Sequence, residues 1–234
     1  MQKILEVQQL SVVPYHHAWD YQNDLADKVA RQWQAETLLL LEHPHTYTLG
    51  RRGKDENLLW SERELKENGV IVIRVDRGGD ITYHGPGQLV GYPILRLAPI
   101  GWLDDRLPQA DYVGYIRSLE EVLIRTLDDF DIGGFRVEGK TGVWVKPGEG
   151  ERPHKIASIG VKVDVRGVSR HGFALNVDPE MEYWDGIIPC GLAEVQMTSM
   201  VECLSCPVEM KHVRRRTIFN FGVVFDRNIQ IVDP

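Results

Sequence analysis

Ile156-Ala-Ser-Ile-Gly-Val-Lys-Val-Asp-Val165 and Val168-Ser-Arg-His-Gly-Phe-Ala-Leu-Asn-Val177 are separated by Arg166-Gly167 alone. Two β-branched runs joined by a two-residue turn read as an antiparallel hairpin. A parallel pair would need a crossover of a dozen or more residues, and there is no room for one. Upstream, Phe135–Glu138 and Gly142–Val145 extend the β-rich region, and the polar segment Pro147–Pro153 reads as a loop. Before it, Val113, Ile116, Leu119, Leu123, Leu127 and Phe130 recur at helical spacing, so Asp111–Phe130 reads as a helix ended by Gly133-Gly134.

Further out the same mixture continues. Leu5–Val13 reads as a strand closed by Pro14. Ala18–Gln34 reads as a helix with Tyr21, Leu25, Val29 and Trp33 on one stripe. Thr37–Leu41 is an unbroken apolar run, the pattern of a strand buried on both faces. Ser61 and Glu64 form a capping box for a short helix ending near Gly69. Val70–Val75 reads as a core strand, Leu89–Leu97 as another, and Pro207–Phe221 as a last helix with proline in its first turn. Strands and helices do not alternate strictly. The expected fold is therefore α+β: a mixed β-sheet flanked by helices, in one domain spanning residues 1–234.

Composition narrows the function. Over 234 residues the charge balance is 27 − 34 = −7, which argues against a nucleic-acid binder held by bulk charge. No stretch approaches the ~20 apolar residues of a membrane helix, and Met1–Val13 lacks a signal-peptide core. Three cysteines, Cys190, Cys203 and Cys206, do not make a disulfide framework, so a reducing cytoplasm is expected.

The densest motif is Arg77-Gly78-Gly79-Asp80-Ile81-Thr82-Tyr83-His84-Gly85-Pro86-Gly87-Gln88. Its glycines let backbone approach a ligand closely. No dinucleotide fingerprint and no phosphate-binding P-loop is present. His43 and His45 lack further ligands at metal-site spacing, and Cys203-Leu-Ser-Cys206 is a lone pair, so no metal is expected. Cys190 lies between Pro189 and Gly191, in a turn. A nucleophilic thiol needs a cation or base beside it. Lys155, His84 and His171 are the candidates, and Lys155 begins the apolar strand Ile156–Val161.

Together these segments resemble the bacterial octanoyltransferases, the lipoyl(octanoyl)-[carrier protein] transferases. Arg77–Gln88 is similar to that family's first block, and Lys155-Ile-Ala-Ser-Ile-Gly160 to its second. His171-Gly-Phe-Ala-Leu-Asn176 is similar to the third, and Pro189-Cys190-Gly191 with Thr198-Ser199 to the fourth. The resemblance implies the fold of biotin and lipoate protein ligases, no cofactor, and transfer of octanoyl (or lipoyl) from octanoyl-acyl carrier protein. The implied acceptor is a lysine of lipoyl domains, those of 2-oxoacid dehydrogenase complexes and the glycine cleavage H protein. It further implies a monomer, with Cys190 carrying the acyl thioester and Lys155 as its acid–base partner. Substrate contacts are implied for Arg77, Gly78, Gly79, Asp80, Ile81, Thr82, Tyr83 and His84, for Ser158, Ile159 and Gly160, and for Gly172, Phe173 and Ala174.

The alternative is an ATP-dependent lipoate or biotin ligase on the same fold, which forms an acyl-adenylate and needs no nucleophilic cysteine. An acidic carrier meeting an acidic protein calls for a local basic face. Two clusters offer one: Arg51, Arg52 and Lys54 on a loop, and Lys211, Arg214, Arg215 and Arg216 on the last helix. The glycines Gly78, Gly79, Gly160 and Gly172 are expected to leave room for the acyl chain.

Overall fold

The computed structural model describes residues 3–97, 111–148, 150–192 and 194–233. Residue 149, inside the expected loop 147–153, lies outside them. The strands are β1 (Lys3–Val12), β2 (Glu36–Glu42), β3 (Thr46–Leu49), β4 (Ile71–Arg74), β5 (Ile81–His84), β6 (Gln88–Ile94), β7 (Phe135–Val137), β8 (Lys140–Val145), β9 (His154–Val163), β10 (Ser169–Asn176) and β11 (Arg227–Val232). The helices are α1 (Tyr15–Ala30), α2 (Glu62–Glu67), α3 (Tyr112–Asp128), α4 (Met200–Leu204) and α5 (Met210–Phe225).

Eight strands form one mixed sheet in the order β11-β1-β2-β6-β10-β9-β8-β7. β1 pairs parallel with β11 and β2, and the other pairings are antiparallel. The β9–β10 hairpin turns at Arg166-Gly167. A second sheet, β4-β3-β5, stands beside it.

Strand β2 shows why its sequence is continuously apolar. Leu38 and Leu40 enter the core cluster formed with α3 and α5. Leu39 and Leu41 enter the cluster under α1 on the opposite face. All four are fully buried, each worth about 1.5–3 kcal/mol of transfer free energy. In α2, the Ser61 side chain accepts from the Glu64 N–H, and the Glu64 carboxylate accepts from the Ser61 N–H.

Several expectations are corrected. Val70–Val75 is not a core strand: β4 is an edge of the small sheet, and Ile71 is 54 % exposed. Its β-branched composition suits a pleated backbone but does not say whether a face is covered. Trp33 lies beyond the end of α1 and is 73 % exposed, while Val113 is 69 % exposed on the outer side of α3. The last helix begins at Met210, not Pro207. Strands β3, β5 and β11 were not legible. β5 lies inside the glycine-rich motif, and β11 extends the sheet from the C-terminal end.

Candidate active site

Four segments distant in sequence meet at one cavity of about 560 Å³. The loop before β5 brings Arg77, Gly78, Gly79 and Asp80, and β5 itself brings Thr82 and His84. β9 contributes Lys155, Ser158, Ile159 and Gly160, and β10 contributes His171, Gly172, Phe173 and Ala174. The turn Pro189–Gly191 contributes Cys190. Strand alternation divides β5: Ile81 borders the cavity but packs in the core of the small sheet. Tyr83 does not border the cavity. It faces the other side of β5, where its hydroxyl meets His45 Nδ1 at 2.9 Å. Arg52 and Lys54 of the expected basic loop also line the cavity, as do Tyr15, Tyr92, Trp144 and Lys140, which no motif in their own segments marks.

Lys155 and Cys190 are 35 positions apart, yet the Lys155 ammonium donates a hydrogen bond to Cys190 Sγ at 3.3 Å. The lysine is 4 % exposed. Its backbone is held on both sides by the chain that follows the cysteine. Lys155 N–H donates to the Gln196 carbonyl at 2.8 Å, and Thr198 N–H donates to the Lys155 carbonyl at 3.0 Å. Cys190 has φ 58° and ψ 15°, a left-handed conformation that costs a non-glycine residue roughly 1 kcal/mol or more. Asp80 supports this turn. It accepts from Asn57 Nδ2 at 2.8 Å, and the Asn57 carbonyl accepts from Ile188 N–H at 2.8 Å.

The two histidines that rivalled Lys155 are engaged elsewhere. His84 Nδ1 donates to Gln88 Oε1 at 2.8 Å. Burial and the neighbouring His43 push its pKa well below the usual imidazole range. His171 Nε2 donates to Asp76 Oδ1 at 2.7 Å, leaving Nδ1 to accept from the Tyr15 hydroxyl at 3.3 Å. Burial lowers the His171 pKa, and the donors His171 and Lys162 hold the Asp76 carboxyl well below the ordinary range. A neutral His171 bonded to an ionised Asp76 satisfies both. Beneath them, His43 Nδ1 meets the Val13 carbonyl at 2.6 Å, which can only accept, so Nε2 accepts from the Tyr92 hydroxyl at 2.7 Å. Burial takes His43 down to about 4.

Arg77 is a buried cation. One of its terminal nitrogens donates to the Thr48 carbonyl at 2.6 Å and the Thr48 hydroxyl at 2.8 Å, and the other donates to the Gly78 carbonyl at 3.0 Å. Burial lowers its pKa. Among the described residues no group of three or more histidine, cysteine or acidic side chains is arranged to hold a metal ion. No helix among them is long and apolar enough to cross a membrane. Cys203 and Cys206 are free and exposed, away from this cavity.

The family model for the lipoyl protein ligase A/B catalytic domain matches residues 14–222. This chain belongs to that family. Within it, the octanoyltransferase of Chloroflexus aurantiacus is 43 % identical over 223 residues, covering 95 % of each chain. That of Cytophaga hutchinsonii is 39 % identical over 241 residues, covering 97 % of this chain and 95 % of its own. The solved bipartite lipoate protein ligase of Thermoplasma acidophilum superposes with a TM-score of 0.74 at 16 % identity, covering all of this chain and 88 % of its own. Lipoate-protein ligase A bound with ATP gives 0.71 at 15 %, covering all of this chain and 90 % of its own. At such identities the structures establish the shared fold. The much closer sequence relatives define the activity: the chain is an acyltransferase that moves octanoyl groups in protein lipoylation.

Proposed function

We propose that octanoyl passes from an acyl carrier protein through Cys190 to a lysine of a lipoyl domain, with Lys155 moving the protons. The observation that carries this reading is the 3.3 Å hydrogen bond from Lys155 to Cys190 at the cavity wall. In the first step the Cys190 thiolate attacks the donor's thioester carbonyl. A new sulfur–carbon bond forms and the carrier's breaks. The departing thiolate takes a proton from the Lys155 ammonium. In the second step neutral Lys155 takes a proton from the acceptor lysine's ammonium, and the freed amine attacks the Cys190 thioester. The amide forms, its second proton leaves to solvent, and the Cys190 thiolate is restored beside the Lys155 ammonium. Thioester exchange is nearly even and amide formation is downhill, so ATP is not required. Acid–base work of this kind contributes ~10²–10⁴ in rate.

Arg77 to Thr82, Ser158 to Gly160 and Gly172 to Ala174 then hold the acyl group. Arg77 Nε and the Thr82 hydroxyl are buried without a protein partner and are available to its polar end. The acceptor reading is supported by the fold shared with the T. acidophilum ligase, whose structure was solved as part of a lipoylation system with its E2 lipoyl domain. The donor reading is supported by cations at the cavity rim, Arg52, Lys54 and Lys140. The chain is proposed to work as a single-domain monomer.

Intact-mass measurement after incubation with octanoyl-carrier protein, without ATP, tests the scheme. The expected gain is one octanoyl group, absent in Cys190→Ala. A gain that survives in Cys190→Ala, or that needs ATP, would overturn it.

A further inference from the structure

Lys155 makes no ion pair with a carboxylate among the described residues, yet its ammonium stands at one defined place. Its surroundings explain how. The Lys155 side chain crosses Gly142 of β8. A Cβ there would lie 2.6 Å from Lys155 Cε and 2.5 Å from the Ala157 carbonyl oxygen. Gly142 also has φ +115°, a region that disfavours any side chain. The β8–β9 ladder shifts register at this point, Val143 opposing Ala157 and Trp144 opposing Lys155. Beyond the shift the Gly142 N–H turns to α3, where it donates to Glu120 Oε1 at 3.0 Å.

Glu120 is a fully buried carboxylate. Its Oε2 accepts from Arg117 at 2.7 Å and Arg136 at 3.1 Å, so its position is fixed from α3 and β7 together. A buried carboxylate costs several kcal/mol in desolvation, which its donors must offset. A merely apolar residue would fill the same space without that cost. Trp144 completes the seat: the Lys155 ammonium lies 5.6 Å from its ring centroid, within cation–π range.

We infer that Glu120 is a positioning residue for the transfer reaction: by anchoring the Gly142 backbone, it sets where the Lys155 ammonium stands relative to Cys190 Sγ. This inference rests on the Lys155–Cys190 reading given above. Proton transfer falls steeply with misplacement, and shifts of about 1 Å can cost 10²-fold.

The test is a double-mutant cycle on single-turnover acylation of Cys190, with thermal melts to confirm folding. Lys155→Met alone should slow acylation at least 10²-fold. If it does not, the dyad reading fails. Glu120→Gln and Gly142→Ala should each slow acylation about 10–10²-fold, with the carrier's KM within twofold. In the Lys155→Met background neither should slow it further, because the residue they position is gone. Should Gly142→Ala fail to fold, Glu120→Gln carries the cycle. A loss of the same factor in both backgrounds, or no loss in the folded Glu120→Gln enzyme, would overturn the positioning role while leaving the dyad intact.

Discussion

The Lys155–Cys190 pair and a cluster of three histidines are both rich in titratable groups, yet only the first turns a proton donor toward an atom proposed to react. In the cavity wall, the Lys155 ammonium is bonded to Cys190 Sγ, an atom that would change bonds in the proposed reaction. In the cluster, His84 and His171 line the cavity and His43 packs against His84; they already bond to Gln88, to Asp76 and Tyr15, and to Val13 and Tyr92 respectively. Burial holds all three histidines neutral at neutral pH. A density of titratable side chains is therefore not a catalytic site by itself. What separates the two groups is whether a donor or acceptor is turned toward an atom proposed to react or closed within the protein.

The largest test of that contrast compares Lys155→Met with His84→Ala. Iodoacetamide should alkylate Cys190 at least ~10-fold more slowly in Lys155→Met, because the side chain bonded to Sγ is lost. In His84→Ala the alkylation rate should stay within about twofold of wild type. The reverse result would move the base to the histidine cluster.

The histidine cluster should declare itself in stability. Its histidines sit below their unfolded value of about 6.5, so below that pH the unfolded chain binds protons that the folded chain refuses. Stability is thus complete above about pH 6.5 and falls as the pH drops toward 4, the folded value of His43. Each such histidine contributes up to about 1.4 kcal/mol per pH unit. Urea unfolding at pH 7 and pH 5 should show this loss, and His43→Gln should reduce it. An unchanged slope in His43→Gln would show that other groups dominate.

Two glycines sharpen the boundary between packing and chemistry. At Gly172 a Cβ would strike the Gly91 carbonyl oxygen at 2.1 Å and Pro93 at 2.6 Å, so the missing side chain serves the β6–β10 approach more than an acyl slot. Gly172→Ala should cost about 1–3 kcal/mol in thermal unfolding. At Gly160 the nearest atoms are the Gly78 carbonyl oxygen at 3.0 Å and Arg77 Cδ at 3.1 Å, in the cavity wall. Gly160→Ala should change octanoyl kinetics severalfold with a smaller shift in melting temperature. Equal effects of the two on stability and kinetics would erase the distinction.

The smallest effect belongs to the rim. Of the two expected basic clusters, the one on α5 is largely committed to the fold: Arg214 bonds the Leu10 carbonyl and Glu42, and Arg216 forms a two-point pair with Asp129. Arg51 and Arg52 are exposed near the cavity, with Arg52 on its lining. Reversing both to glutamate should raise the carrier's KM roughly 3–10-fold, flatten its salt dependence, and leave kcat within twofold. An unchanged KM and salt slope would exclude this rim as the docking face.

The hairpin, the doubly buried β2, the capping box of α2 and the order of four chemical blocks are legible in the residues alone. Each of these is a local pattern: a two-residue turn, an unbroken apolar run, a Ser and Glu at fixed spacing, a short string of residues. Whatever depends on a partner far along the chain was set by the folded arrangement. It left β4 at an uncovered edge, turned Tyr83 away from the cavity, and seated Lys155 between Gly142 and Cys190. Glu120 could not be told from any helix-surface glutamate in sequence, because the N–H it accepts from lies 22 positions away in another element. Local propensity is written in neighbouring residues, whereas burial and the aim of a side chain are set by whatever the fold brings against them.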